Sequence, residues 1–248
     1  MKIYLLLADE PFYMPACVGA VLDRWHGSVV GVSFPSGFFS RKRALSTLRL
    51  FGPLGFLRRA ARIGLASLKG GAVHSVVGRH GLPIYPVESI NAPDFLSHLR
   101  ELGVDLVLSL NCPQKLKTEI LRLPKYGCVN LHFGLLPKYR GVLPIMYAIL
   151  NGEKGFGVTV HYMDEKLDNG DIILQSTVPI GPSDTLDTLY PKGFEEASRL
   201  LCLALERIEA GTVERKPNRE SEKTYYTYPT AEVVSRYRQL ARERRSLG

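Results

Sequence analysis

The chain has 248 residues, 45% of them hydrophobic, with 32 Lys and Arg against 24 Asp and Glu, and four cysteines. That length suits one mid-sized globular core with a short appendage. Cys17, Cys112, Cys128 and Cys202 lie too far apart for a zinc knuckle or a dense disulfide framework, which fits a reducing, cytoplasmic setting, and no apolar run reaches the roughly 18–20 residues of a membrane-spanning helix.

In chain order, "KIYLLL" is a short β-rich run that meets acid at Asp9, too short for the apolar region of a secretory leader, and is read as the first core strand. Residues 15–25 carry helical apolar spacing, and "SVVGVSF" reads as the second strand. The loop leaving the first strand, "LADEPFYMPA", lacks the G-x-G-x-x-G of dinucleotide binding, which argues against a nicotinamide or flavin enzyme. No acid occurs between Asp23 and Glu88, while Arg24, Arg41, Lys42, Arg43, Arg49, Arg58, Arg59, Arg62, Lys69 and Arg79 all fall in that gap. Such a block attracts phosphates, whether on a nucleic acid, a nucleotide-linked substrate or an anionic membrane, or is simply a solvated face. Within it, Leu50, Leu54, Leu57, Ala61, Leu65 and Leu68 recur at helical spacing, so residues 41–69 are read as one or two basic amphipathic helices broken at Pro53. Such a helix packs on the core or lies on a membrane.

Further along, "APDFLSHLREL" predicts a helix beginning near Asp94, "VDLVLSL" a fully buried strand, "PQKLKTEILRL" a helix starting at its proline, and "GCVNLHF" the next strand. "GVTVHYM" and "DIILQSTVPI" read as two strands joined by the acidic turn "DEKLDNG", followed by a long helix over 184–209. The end, "EVVSRYRQLARERRSLG", reads as a basic helix capping the periphery after the irregular "TYYTYPT". Strands alternating with helices predict an α/β fold, a Rossmann-like doubly wound and mostly parallel sheet, with a basic helical insert and a short C-terminal helical extension. The expected organisation is a catalytic domain over 1–210, carrying the insert at about 41–69, and an extension over 211–248.

In a sheet of this kind chemistry is sought just past the carboxyl ends of strands. There "VNLHFGLLPKYRG" sets Asn130 and His132 on one face of a strand that ends at Gly134 and Pro137. An amide donor for a developing oxyanion next to an imidazole that moves protons near neutral pH suits nucleophilic attack on a carbonyl. Asp164, Glu165, Asp168 and Asp171 crowd the acidic turn, from which a carboxylate can orient the histidine. His161 stands nearby, and spacing alone leaves a metal set of His132, His161 and Asp168 open.

The stretch from 127 to 174 resembles the formyltransferase family that uses 10-formyltetrahydrofolate. The resemblance rests on Asn-x-His, Leu-Leu-Pro, Arg-Gly, Gly-Val-Thr, Met-Asp and Leu-Asp-x-Gly-Asp-Ile in that order, and extends most clearly over 104–180. It implies the formyltransferase fold, a catalytic triad of Asn130, His132 and Asp168, and 10-formyltetrahydrofolate as donor with no metal. An acceptor amine would attack the formyl carbon, with Asn130 and protonated His132 stabilising the oxyanion and Asp168 orienting His132. The donor pocket then falls on the segments holding Asn111, Cys112 and Leu116, and Tyr162, Met163, Asp164 and Leu167. The acceptor side is expected at Phe133, Tyr139 and Arg140 and, through phosphate, at Arg58, Arg59 and Arg62. Phe133 and Gly134 depart from the more usual Gly-Ser or Pro-Ser, and "SLNCPQKL" replaces a small, apolar stretch. The resemblance implies an N-formyltransferase acting on a phosphate-bearing small amine, an amino sugar on a nucleotide or lipid carrier or a natural-product intermediate. Methionyl-tRNA formyltransferase-like activity is disfavoured, since the chain continues only about forty residues past the long helix. It and a 10-formyltetrahydrofolate hydrolase are the alternatives. Nucleic acid is not the expected partner, peripheral membrane contact is compatible, and the oligomeric state, a homodimer included, is open.

Overall fold

In the computed structural model, which describes residues 1–37, 41–68 and 72–247, the opening apolar run becomes β1 (Ile3–Leu7), buried along its whole length. A strand apolar on both faces requires cover on both sides. The chain supplies it through α1 (Met14–Trp25), β2 (Val29–Ser33), α2 (Arg41–Leu68), α3 (Ala72–Arg79), α4 (Pro93–Leu102), β3 (Leu106–Leu110), α5 (Thr118–Leu121), β4 (Cys128–His132), β5 (Arg140–Gly141), α6 (Pro144–Leu150), β6 (Gly155–Tyr162), β7 (Ile172–Pro179), α7 (Leu186–Glu209), β8 (Tyr225–Tyr226) and α8 (Ala231–Arg245). Lys69, counted above in the basic insert, lies outside the described residues.

Six strands form one sheet in the order β2-β1-β3-β4-β6-β7. β1 pairs in parallel with β2 and β3, and β3 with β4, while β6 runs antiparallel to both β4 and β7. The sheet is thus mostly parallel, with an antiparallel half beginning at the strand that carries Asn130 and His132. On one face α1 and α7 pack together over Leu5, Leu108, Val129 and Val160. On the other, Phe95, Leu96 and Leu99 of α4 and Ile120 of α5 cover Tyr4, Leu6 and Val107.

The helix expected from Pro113 shrinks to Thr118–Leu121. Tertiary partners take the backbone groups that a longer helix would need: Asn91 accepts from Lys117 N–H at 2.8 Å and donates to the Lys115 carbonyl at 2.9 Å. The side chain of Gln114 meanwhile holds the loop at 88–90 by accepting from Ile90 N–H and donating to the Glu88 carbonyl. Helical stretches over Ala72–Arg79 and Pro144–Leu150 and the short β5–β8 ladder appear without a strong sequence signal.

The basic insert breaks where expected. Gly52 takes φ 71° and ψ 175°, a backbone open to glycine, and Pro53 begins the second helical stretch. The C-terminal helix, in contrast, is no peripheral cap. Val234, Tyr237 and Ala241 of α8 are buried in the main core, and the Tyr237 hydroxyl accepts the N–H of Leu186 at the start of α7 at 3.0 Å. Burial pushes that phenol up to about 12. Tyr237→Ala should therefore lower unfolding free energy by about 3 kcal/mol or more, measured in urea, where an exposed cap residue would cost under about 0.5 kcal/mol.

Candidate active site

The antiparallel register of β4 and β6 creates the site. Asn130 faces His161 and His132 faces Thr159, while β7 places Gln175 opposite Thr159. With a side-chain period of two, all five lie on one face of three adjacent strands. Thr159 donates to the Gly134 carbonyl at 2.6 Å and accepts from Gln175 at 2.8 Å, and Gln175 also donates to the Leu136 carbonyl at 2.9 Å. These bonds hold the turn after β4 against β6. Gly157 is needed there, because a Cβ on it would lie 2.3 Å from the backbone nitrogen of Leu135.

His161, which spacing left open as a metal ligand with His132 and Asp168, instead fixes Asn130. Its Nδ1–H donates to the Tyr162 carbonyl at 2.7 Å, which leaves Nε2 to accept an N–H of Asn130 at 3.2 Å. Burial is the largest influence on this imidazole and pushes it down to about 4, against the attraction of Asp168, so it is neutral near pH 7. The amide of Asn130 is thereby turned with its nitrogen inward along the strand pair.

His132 is buried and places its two ring nitrogens against oxygens: Nε2 lies 2.7 Å from the Tyr139 carbonyl, and Nδ1 3.6 Å from Asp168 Oδ1. A hydrogen on Nε2 donates to the Tyr139 carbonyl. The same Oδ1 lies 3.9 Å from Nε2 of His161. Asp168 sits in the left-handed region at φ 50°, a costly backbone for an aspartate. It is held there by the N–H of Gly141, which donates to Oδ2 at 2.8 Å, and by Asn218, which donates to its carbonyl at 2.9 Å.

A cleft of about 740 Å³ opens beside this cluster. His132, Phe133, Asn111 and Cys112 all line it, as do Arg59 and, from α7, Tyr190 and Phe194. Phe133 packs on Phe194 at 4.7 Å between ring centres, and Tyr13 stacks on Tyr190 at 5.5 Å, giving the cleft an aromatic wall. Arg59 ion-pairs with Asp187 and lies over the ring of Phe51, and Arg62 lies over that of Phe12. Arg58 lines an adjacent hollow with Arg59 and Arg62.

Other predicted contacts go elsewhere. Leu116 turns into the second core cluster and Met163 packs against it, because the chain between β3 and β4 needs apolar anchors under the sheet. Asp164 spends its carboxylate on Lys166 N–H and Asn169, Leu167 points to solvent, and the Tyr162 ring lies under Arg215. Tyr139 and Arg140 are not open to an acceptor. The Tyr139 hydroxyl donates to Glu153 at 2.6 Å, and the buried Arg140 guanidinium donates to Asn169, Asn218 and Glu220. With Lys223, that contact holds the Glu220 carboxyl down to about 2. Among the described residues no group of three or more His, Cys, Asp or Glu is placed to hold a metal ion.

A sequence profile described as formyl transferase matches residues 67–205, more than half of the chain. The chain belongs to the formyl transferase family. Methionyl-tRNA formyltransferase of Halothermothrix orenii is 40% identical over 153 residues, covering 62% of this chain and 48% of the relative. The chain thus spans about half the length of the curated relatives it matches. Among solved structures, the N-formyltransferase of Helicobacter canadensis, in complex with folinic acid and dTDP-3-aminofucose, has a TM-score of 0.65 at 18% identity and covers 97% of this chain and 80% of its own. The phosphoribosylglycinamide formyltransferase of Bacillus halodurans has a TM-score of 0.62 at 22% identity, with 84% and 95% covered. At these identities the structures show a shared formyltransferase fold.

In this family member the folded chain refuses a proton at His161 that the unfolded chain takes between about pH 6.5 and pH 4. Stability is full above that window and falls as pH drops through it, by about 3 kcal/mol if His161 acts alone. Urea unfolding at pH 7 and pH 4.5 should show the loss, and His161→Asn should flatten it.

Proposed function

We propose that the chain is an N-formyltransferase that moves a formyl group from 10-formyltetrahydrofolate to the primary amine of a small, phosphate-bearing acceptor. The observation that carries this reading is the cluster of half-buried Asn130 with buried His132 and Asp168, whose His132 lines a cleft sized for small molecules. The donor would supply an activated formyl carbon. The cleft fits a flat heteroaromatic ring with a polar edge: Leu110 and Leu131 give it apolar surface, and Asn111 and Cys112 bring strand-end backbone to it.

Asn130, turned by His161, donates an N–H to an oxygen that gains negative charge when the amine attacks. In this reading His132, set between the Tyr139 carbonyl and Asp168, is protonated and adds positive charge close to the same oxygen. Asp168 keeps that charge in place and takes up the proton that the amine loses, directly or through water, and this proton passes to N10 of the folate as the oxyanion collapses and the formyl carbon–N10 bond breaks. The aromatic wall at Phe133 narrows the acceptor side, and Arg58, Arg59 and Arg62 supply cations for an acceptor phosphate.

An amino sugar on a nucleotide is the acceptor class favoured, in line with the sugar-nucleotide complex named for the Helicobacter canadensis relative. A second reading, a methionyl-tRNA acceptor, is favoured by the 40% identity to the Halothermothrix orenii protein. Formylation of a panel of nucleotide amino sugars and of charged initiator tRNA separates the two.

His132→Ala should abolish formyl transfer while 5-formyltetrahydrofolate still raises the melting temperature. Asn130→Ala should lower kcat roughly 10²- to 10³-fold. A chain whose melting temperature ignores 5-formyltetrahydrofolate would not be a formyltransferase of this kind.

A further inference from the structure

The second half of α2, residues 53–68, has two apolar sides. At about 100° per residue, Phe56, Ala60 and Ile63 share one arc, and all three line the candidate active-site cleft. Leu54, Leu57, Ala61, Leu65 and Leu68 share another arc of about 80°. These face solvent: Leu54 is 63% exposed, Leu57 62%, Leu65 62% and Leu68 85%.

Single exposed leucines are ordinary, but a stripe of four on one helix marks a contact surface. Arg58 and Arg62 border the stripe along one edge. Beyond them lies a hollow of about 810 Å³ between α2 and α8, where Arg58, Arg59, Arg62, Arg238, Arg242 and Arg245 face one carboxylate, Asp187. No helix among the described residues is long and apolar enough to cross a membrane. An apolar stripe edged by arginines is instead the make-up of a helix that lies in the plane of an anionic bilayer surface. A second copy of the chain fits the stripe less well, since a two-fold contact would set one arginine-lined edge against another.

We propose that residues 53–68 of α2 seat the protein on an anionic membrane surface, with Leu54, Leu57, Leu65 and Leu68 among the acyl chains and the arginines of α2 and α8 among headgroup phosphates. The leucine stripe lies apart from Asn130, His132 and Asp168, while Arg58, Arg59 and Arg62 are the cations also offered to an acceptor phosphate; seating on the membrane requires neither donor nor acceptor.

Co-sedimentation of the full chain with phosphatidylcholine vesicles, with and without phosphatidylglycerol, tests the assignment. The wild type should pellet with the phosphatidylglycerol vesicles, less so as salt rises, and weakly or not at all with phosphatidylcholine alone. The triple variant Leu57→Ser, Leu65→Ser, Leu68→Ser should bind at least about a hundredfold more weakly, with its urea midpoint unchanged because these side chains are exposed. Arg58→Gln and Arg62→Gln should each cost about fivefold. His132→Ala should bind vesicles like the wild type. A wild type that stays in the supernatant, or a triple variant that pellets equally well, overturns the proposal. A lipid-free dimer in sedimentation velocity that the triple variant dissociates assigns the stripe to a second copy and also overturns it.

Discussion

The site depends on one buried carboxylate. Asp168 lies among low-dielectric surroundings, where an ionised group is tolerated only if charge and hydrogen bonds surround it. His132 and His161 approach the same oxygen, and the Gly141 N–H takes the other. The two histidines have opposite tasks. His132 donates from Nε2 to the Tyr139 carbonyl, and His161 is kept neutral by burial so that it can accept from Asn130. Burial keeps His161 neutral against the pull of the same carboxylate that stands 3.6 Å from His132 Nδ1.

Support for that carboxylate comes from far along the chain. Gly141 has φ 96°, and a Cβ there would sit 2.1 Å from the Tyr226 carbonyl, so only glycine lets β5 and β8 close together while its N–H faces Asp168. Arg140, one residue earlier, reaches Asn169 on the acidic loop and Asn218 and Glu220 on the C-terminal segment. Its two terminal nitrogens find acceptors on both segments and tie them together, while the buried Nε has no partner among the described residues. The residue marked by the sequence as an acceptor contact is a clamp.

The central fold was legible because its signals are local. Five-residue apolar runs, alternation in "CVNLH" and the glycine and proline at residues 52 and 53 each act within one or two turns of backbone. Asn130 and His132 shared a face by period alone, and the acidic turn lay in plain view. What stayed hidden was set by partners distant in sequence. The helix expected from Pro113 lost its backbone bonds to Asn91, α8 entered the core through Tyr237, and Leu116 and Arg140 were drawn to structural sites. The roles of Thr159, His161 and Gln175 follow from strand register, which a single strand does not reveal. Alternation in "GVTVHY" did carry a faint sign, since Thr159 and His161 share a face just as Asn130 and His132 do.

The match to the formyl transferase profile ends at residue 205, but the mechanical support of Asp168 does not. Asn218 holds its carbonyl, and Tyr226 walls in the glycine that holds its side chain. The boundary that similarity draws and the boundary that energetics draws are therefore different. The matched segment contains the reacting groups, while the scaffold that aims them lies partly beyond it.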